Sequence, residues 1–185
     1  MAQRKLNTWQ ETNRIDDYLA RIAKNDRKAL SELYQMISAP IYSFALSILK
    51  NTHDAEDVLQ DVFIAIVSSA SNYQTYKKPM AWVMTITRNL SLMKIRDSKK
   101  DSDIAQDDWE PYLASNENMT SQDRLIIQEC LQNLSNEERQ IVVLHAVAGL
   151  KHREIAKSLS LPLPTVLSKY CRAMKKLKNH LMEEE

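Results

Sequence analysis

One glycine stands in 185 residues. Tight turns between strands draw on glycine at positive φ, whereas helices joined by polar linkers do not. A sheet-rich fold is therefore excluded and the expected class is all-α. The two cysteines, Cys130 and Cys171, lie in separate helical patterns without a second close pair, which excludes a disulfide framework and a thiolate zinc site. His53, His145, His152 and His180 lack ligand spacing with one another or with either cysteine, so no metal is expected. Nowhere do eighteen apolar residues follow one another, and residues 1–18 lack the apolar run of a signal peptide. A soluble, cytoplasmic protein without membrane insertion is the expectation. A Gly-rich phosphate loop, a nucleophile elbow and a paired catalytic carboxylate motif are all missing. No enzyme, small-molecule substrate or cofactor is expected.

The net charge is only +1, yet the charges are sorted along the chain. Arg88 to Lys100 carries five Lys/Arg against Asp97, and Asp101 to Asp123 carries seven acids and no Lys or Arg. From Lys151 to His180 eight Lys/Arg face the single acid Glu154, a net of +7. Basic blocks of that density face phosphate, and an acidic block between them reads as a linker.

Hydrophobic periodicity supplies the helices. Ile15, Tyr18, Leu19 and Ile22 repeat at i, i+3, i+4, i+7, and Leu30, Leu33, Tyr34 and Ile37 do so after Asn25-Asp26. Pro40 is read as opening a third helix, since proline suits a first turn, and Lys50-Asn51-Thr52 as ending it. The next helix takes Asn51 or Thr52 as its cap, holds Asp54, Glu56 and Asp57 near its positive end, and buries Leu59, Val62, Phe63 and Ile66. A polar loop over Ser68 to Lys78 leads to Pro79 and a long helix with Trp82, Ile86, Leu90 and Met93 expected inside. Together these form a helical domain over 1–100, followed by an acidic linker over 101–123 with Pro111 and no clear period.

The second domain, over 124–185, begins with a helix around 121–133, then one opened by the capping box Ser135 and Glu138 and stopped by Gly149. Two short helical patterns joined by Ser160-Leu161-Pro162 then read as a helix-turn-helix, a device for setting one helix in the DNA major groove. The recognition helix begins near Pro164, with Val166, Tyr170, Ala173 and Leu177 inward. Leu167, Cys171 and Met174 form a second apolar line beside that stripe.

These residues together resemble a bacterial sigma factor of the extracytoplasmic-function group, over nearly the whole chain. Asp54-Ala55-Glu56-Asp57-Val58-Leu59-Gln60-Asp61-Val62-Phe63 looks like the helix with which that family grips RNA polymerase. Ala81-Trp82-Val83 followed by Thr87-Arg88-Asn89-Leu90 looks like its promoter-melting segment. Leu134 to Arg139, Glu154-Ile155-Ala156 and Thr165-Val166-Leu167-Ser168 resemble its C-terminal domain. The resemblance implies core RNA polymerase and promoter DNA as partners, with polymerase contact through Asp57, Gln60 and Asp61. It also implies that each domain reads one promoter element, with the linker threaded through polymerase.

An extruded base needs a pocket of stacking and hydrogen-bonding groups, and Tyr73, Gln74, Thr75 and Tyr76 before Pro79 can supply one. Asn89 matches a family base-reading position, and an amide can pair bidentately with adenine. Arg88, Lys94, Arg96, Lys99 and Lys100 would hold phosphates. At the upstream element Thr165, Ser168, Lys169 and Arg172 face the groove, Arg172 reading guanine, with Lys175 and Lys176 toward phosphate. The turn departs from the family at Ser160 and Pro164, each in place of a usual Gly, and Leu167 replaces a usual basic residue.

Plainer readings stand beside these. Asp54 to Asp61 can be a solvated helix start, Trp82 core rather than a base stacker, Cys171 an inert apolar residue, and the linker a tether. The line of Leu167 and Met174 reads as packing or partner contact, an anti-sigma factor covering it being the sharper version. The rival function is a sigma-like regulator that binds polymerase or an anti-sigma protein without reading promoters well. Opposite charges in linker and domains also suggest a closed form of the free protein.

Overall fold

In the computed structural model, which describes residues 13–74, 78–101 and 132–183, every regular element among the described residues is helical. Helix α1 spans 13–22 and buries Ile15, Tyr18, Leu19 and Ile22, the periodic stripe of the sequence. Asn25 turns the chain in the left-handed region at φ 64°. Asp26 then caps α2 (Arg27–Leu49), its Oδ1 accepting from the N–H of Lys28 at 2.9 Å and of Ala29 at 3.1 Å. These contacts satisfy donors that a helix start leaves unpaired.

The helix expected to open at Pro40 is not separate: α2 runs through Pro40 for 23 residues. An interior proline removes one backbone bond and crowds the preceding turn, at a cost of about 3 kcal/mol. Leu33, Ile37, Ile41, Phe44 and Ala45 are all fully buried on either side of it. Burying several such side chains, at about 1.5–3 kcal/mol each, outweighs the local cost. Packing, not propensity, sets the length of this helix.

Lys50, left-handed at φ 57°, ends α2, and Asn51 Oδ1 accepts from the Asp54 N–H at 2.9 Å to open α3 (Thr52–Ser69). A 3-10 turn over Ala70–Asn72 follows, so helix takes up the first part of the loop expected from Ser68. Helix α4 (Pro79–Asp101) packs on α2 and α3, with Trp82, Ile86 and Leu90 against the core as expected, through a face that also takes in residues the sequence did not mark. Val83, Met84, Thr87 and Ser91 are fully buried, whereas Met93, expected inside, is 47% exposed. The Thr87 hydroxyl donates to the Val83 carbonyl at 3.0 Å and the Ser91 hydroxyl to the Thr87 carbonyl at 2.8 Å. Small hydroxyl side chains that satisfy themselves on their own helix can face a core without an orphaned polar group.

The C-terminal unit comprises α5 (Asn136–Ala146), α6 (His152–Leu159) and α7 (Leu163–Glu183). Its predicted capping box is present: Glu138 N–H donates to Ser135 Oγ at 3.3 Å and Ser135 N–H to Glu138 Oε2 at 3.0 Å. Gly149 takes φ 69° after α5, and the Leu150 N–H returns to the Leu144 carbonyl at 2.9 Å. Helix α5 lies on α2, and α6 lies on α4. Ile141, Leu144, Ile155 and Val166 thereby join one buried cluster with the core of the first four helices.

Candidate nucleic-acid interface

A cleft of about 400 Å³ opens where the 3-10 turn meets the start of α4, lined by Asn72, Tyr73, Gln74, Lys78, Ala81, Trp82 and Thr85. Tyr73 and Trp82 form its aromatic wall, with ring centroids 4.8 Å apart and planes tilted by 49°. Trp82 is half-buried there, so it serves the packing and faces the cleft at once. The Tyr73 hydroxyl donates to Asp16 Oδ1 on α1 at 2.8 Å. Burial and then the Asp16 carboxylate push this phenol above its ordinary pKa, so it stays protonated and pinned. The sequence pointed to Tyr73 and Gln74; it did not reveal Asp16, which lies far away along the chain. Thr75 and Tyr76 fall outside the described residues.

The chemistry of this cleft suits a flat heterocycle with a charged backbone. Aromatic faces stack, the amides of Asn72 and Gln74 can pair with a base edge, and Lys78, which meets Glu154 at 3.4 Å, is the cation at its lip. Beyond it, Thr85, Asn89, Met93 and Arg96 continue along one exposed face of α4 at helical spacing. Arg88 is half-exposed beside them. Lys99 and Lys100 belong to the end of the same helix, and their side chains lie outside the described residues.

Lys94 is placed differently. Its Nζ lies 2.6 Å from Asp57 Oδ2 and 3.3 Å from Asp54 Oδ1, both on α3. The Lys94 hydrogen bond holds the Asp57 carboxyl below its usual range, and the same bond raises the ammonium. One of the acids read as polymerase contacts and one of the cations read as DNA contacts thus meet each other. Gln60 and Asp61 remain exposed on α3, and the same face continues into Ile64 and Val67, 67% and 46% exposed. Those two apolar residues were missed. The signal was available, since they follow Gln60 and Asp61 at helical spacing and lie off the buried stripe of Val62, Phe63 and Ile66.

In the helix-turn-helix Ser160 adopts φ 57°, and the Leu161 N–H donates to the Ala156 carbonyl at 2.9 Å. Ser thus takes a left-handed position that glycine fills at less strain. On α7 Ser168, Arg172 and Lys175 are exposed and Thr165 is half-buried beside them. Lys169 and Lys176 turn toward α5 instead, meeting Glu137 at 2.7 Å and Glu138 at 2.8 Å. Burial pushes Glu138 up, but the Lys176 ammonium and the Ser135 bonds outweigh it and hold the carboxyl below its usual range. Leu167 and Met174 are each 43% exposed and Cys171 is exposed between them, so the second apolar line does face outward.

Two histidines without a role in the sequence reading and the inward Tyr170 lock the unit together. His145 and His152 stack at 4.4 Å, and Tyr170 meets both edge-on at 5.0 and 4.8 Å. His145 Nδ1 lies 2.9 Å from the Leu150 carbonyl. Burial and then the neighbouring His145 lower the His152 pKa. Each of the three helices contributes one ring, which fixes the angle at which α7 is presented.

The family description Sigma-70 region 2 matches residues 33–101, and Sigma-70 region 4 matches residues 124–177. Among characterised proteins, the ECF RNA polymerase sigma factor SigK of Mycobacterium tuberculosis is 24% identical over 174 residues, covering 90% of this chain and 93% of its own. SigK of Mycobacterium ulcerans matches to the same extent. A solved structure of the sigma factor RpoE with the anti-sigma factor NepR, from Bartonella quintana, superposes with a TM-score of 0.67 at 23% identity, covering 85% of this chain and 99% of that one. CnrH in complex with the cytosolic domain of CnrY superposes with a TM-score of 0.64 at 21% identity, over 93% and 99% of the two chains.

Proposed function

Because the chain belongs to the extracytoplasmic-function sigma factors of bacterial RNA polymerase, we propose that its cleft at Tyr73 and Trp82 and the α4 face beyond it capture and melt the downstream promoter element. The protein binds core RNA polymerase and directs initiation at promoters, and it is a transcription factor rather than an enzyme. The rival reading, a regulator that has lost promoter reading, is not favoured, since both regions match in their usual order.

The observation that carries the site assignment is the continuity of aromatic cleft, amide and cation along one surface: Tyr73 and Trp82, then Asn89, then Arg96. We assign Tyr73, Gln74, Thr75, Tyr76 and Asn89 to bases, and Arg88, Lys94, Arg96, Lys99 and Lys100 to phosphates. Trp82, Asn72 and Lys78 join this set from their place in the cleft. Asp57, Gln60 and Asp61, extended by Ile64 and Val67, form the polymerase face. Thr165, Ser168, Lys169 and Arg172 read the upstream element, with Lys175 and Lys176 on phosphate; Lys169 and Lys176 must first leave their glutamates. The domain division 1–100, 101–123 and 124–185 is supported by the matched spans, and the linker itself lies outside the described residues apart from Asp101.

We assign the protein to the cytoplasm, where polymerase and promoters are; among the described residues no helix is long and apolar enough to cross a membrane. An anti-sigma factor is the partner that the exposed line Leu167, Cys171 and Met174 fits best. Run-off transcription with purified core polymerase on a genomic promoter library tests the site assignment. Asn89→Ala should lower open-complex formation about 5- to 150-fold, the loss of one bidentate base contact worth about 1–3 kcal/mol, while core binding stays unchanged. An undiminished open complex removes Asn89 from the site.

A further inference from the structure

The polymerase face of α3 and the DNA face of α4 are joined by one side chain. Lys94 sits one helix position from Met93 and two from Arg96, yet its ammonium points across the helix boundary to Asp57 at 2.6 Å and Asp54 at 3.3 Å. An ammonium has three donors, and here two of them are taken by carboxylates of the same chain. The three side chains are 32–39% exposed. A buried bridge would be out of reach of any partner, whereas this one is partly open to solvent.

We propose that Lys94 is a positioning residue that couples polymerase docking to strand capture: Asp57 and Asp54 hold it in the free chain, and a polymerase cation docking on Asp57 releases it to a promoter phosphate. The proposal rests on the assignment of α3 to polymerase and α4 to DNA. A cation brought to Asp57 stands close to the Lys94 ammonium, and like charges at that distance repel. The flexible four-carbon stem of lysine lets the ammonium swing without moving the helix. A promoter phosphate that reaches the edge of α4 beside Lys94 then offers the charge that Asp57 no longer does. The carboxylates thus stand in for phosphate until polymerase arrives, and the free chain holds DNA weakly through this face.

The test uses the full chain, purified core polymerase, a promoter found by run-off selection, and short single-stranded oligothymidine as probe for the free chain. Lys94→Met leaves Asp57 unengaged, so core binding should tighten about two- to fivefold, the range expected for a partly exposed ion pair that no longer has to break. With core saturating, the same variant should form fewer open complexes, and the salt slope of DNA binding by the holoenzyme should fall by about 0.7. Lys94→Arg should restore opening. Asp57→Asn should weaken core binding, and the free chain should bind oligothymidine about two- to fivefold more tightly once Asp54→Asn is added, because Asp54 still holds Lys94 when Asp57 alone is neutralised. If Asp57→Asn weakens core binding but Lys94→Met fails to tighten it, the coupling is wrong and the polymerase face stands. If Asp57→Asn leaves core binding unchanged, the polymerase face itself is wrong.

Discussion

Glu138 illustrates how much a single carboxylate can be asked to hold. It closes the capping box of α5 through Ser135 and binds Lys176 of α7 at 2.8 Å while almost wholly buried. Removing Lys176 therefore does more than remove a cation from the proposed DNA face. Lys176→Ala should destabilise the C-terminal unit by about 1 kcal/mol, because a buried charged acceptor loses one of its two kinds of partner. The pH dependence follows from the direction of the Glu138 shift. A carboxyl whose folded pKa lies below its ordinary value of 4.5 contributes stability that is fully present above that value and is lost as pH falls through the folded one. Thermal melts at successive pH values should show this acid limb in the parent and a shallower one in Lys176→Ala; parallel limbs would mean the ion pair contributes nothing. For the same reason Lys175, exposed and outside this network, is the cleaner position for testing a phosphate contact.

Among the elements, α2 carries the clearest conflict between local and tertiary preference. Pro40 lacks the N–H that a helix interior requires, and the surrounding buried residues hold the helix together regardless. Pro40→Ala should stabilise the protein by about 2 kcal/mol, the helix-propensity gain less the entropy that proline removes from the unfolded chain. In a chain of this length that raises the melting temperature by roughly 4–8 °C, and an unchanged midpoint would mean that the ring's own packing matters as much as the missing bond. The sequence marked helix ends well, because Asp26, Asn51 and Ser135 act through bonds to neighbouring residues and Gly149 through its own positive φ. It marked faces less well wherever a distant element decides. In α4 the apolar Met93 looks outward, while Thr87 and Ser91 face the core because their hydroxyls return to their own helix. The cleft was half legible for the same reason: Tyr73 and Gln74 are local, whereas Asp16 enters only through the packing of α1.

At the scale of the whole molecule the two halves associate, and the nature of their contact decides when they separate. Charge sorting along the chain suggested an electrostatic closure, and one pair, Lys78 on the lip of the cleft and Glu154 of α6 at 3.4 Å, does cross between them. Lys78 is half in solvent, and a pair of that kind contributes about 0–1 kcal/mol and is screened by salt. The larger contribution comes from α5 lying on α2, within an apolar cluster that includes fully buried Ile141 and Leu144. Apolar burial does not weaken as salt rises. On the proposed site assignment the cleft and α7 meet two separate stretches of DNA, so an ion pair at the cleft and a shared core both oppose that geometry. On that assignment polymerase binding has to overcome mainly the hydrophobic part. Small-angle scattering of the free protein should therefore give a compact radius of gyration, about 16 Å for one globule of this length, plus whatever the residues outside the described set add. The value should stay constant from low salt to about 1 M, where the screening length is about 3 Å. Expansion with salt would reassign the closure to charge, and Lys78→Ala would then open the protein at low salt as well.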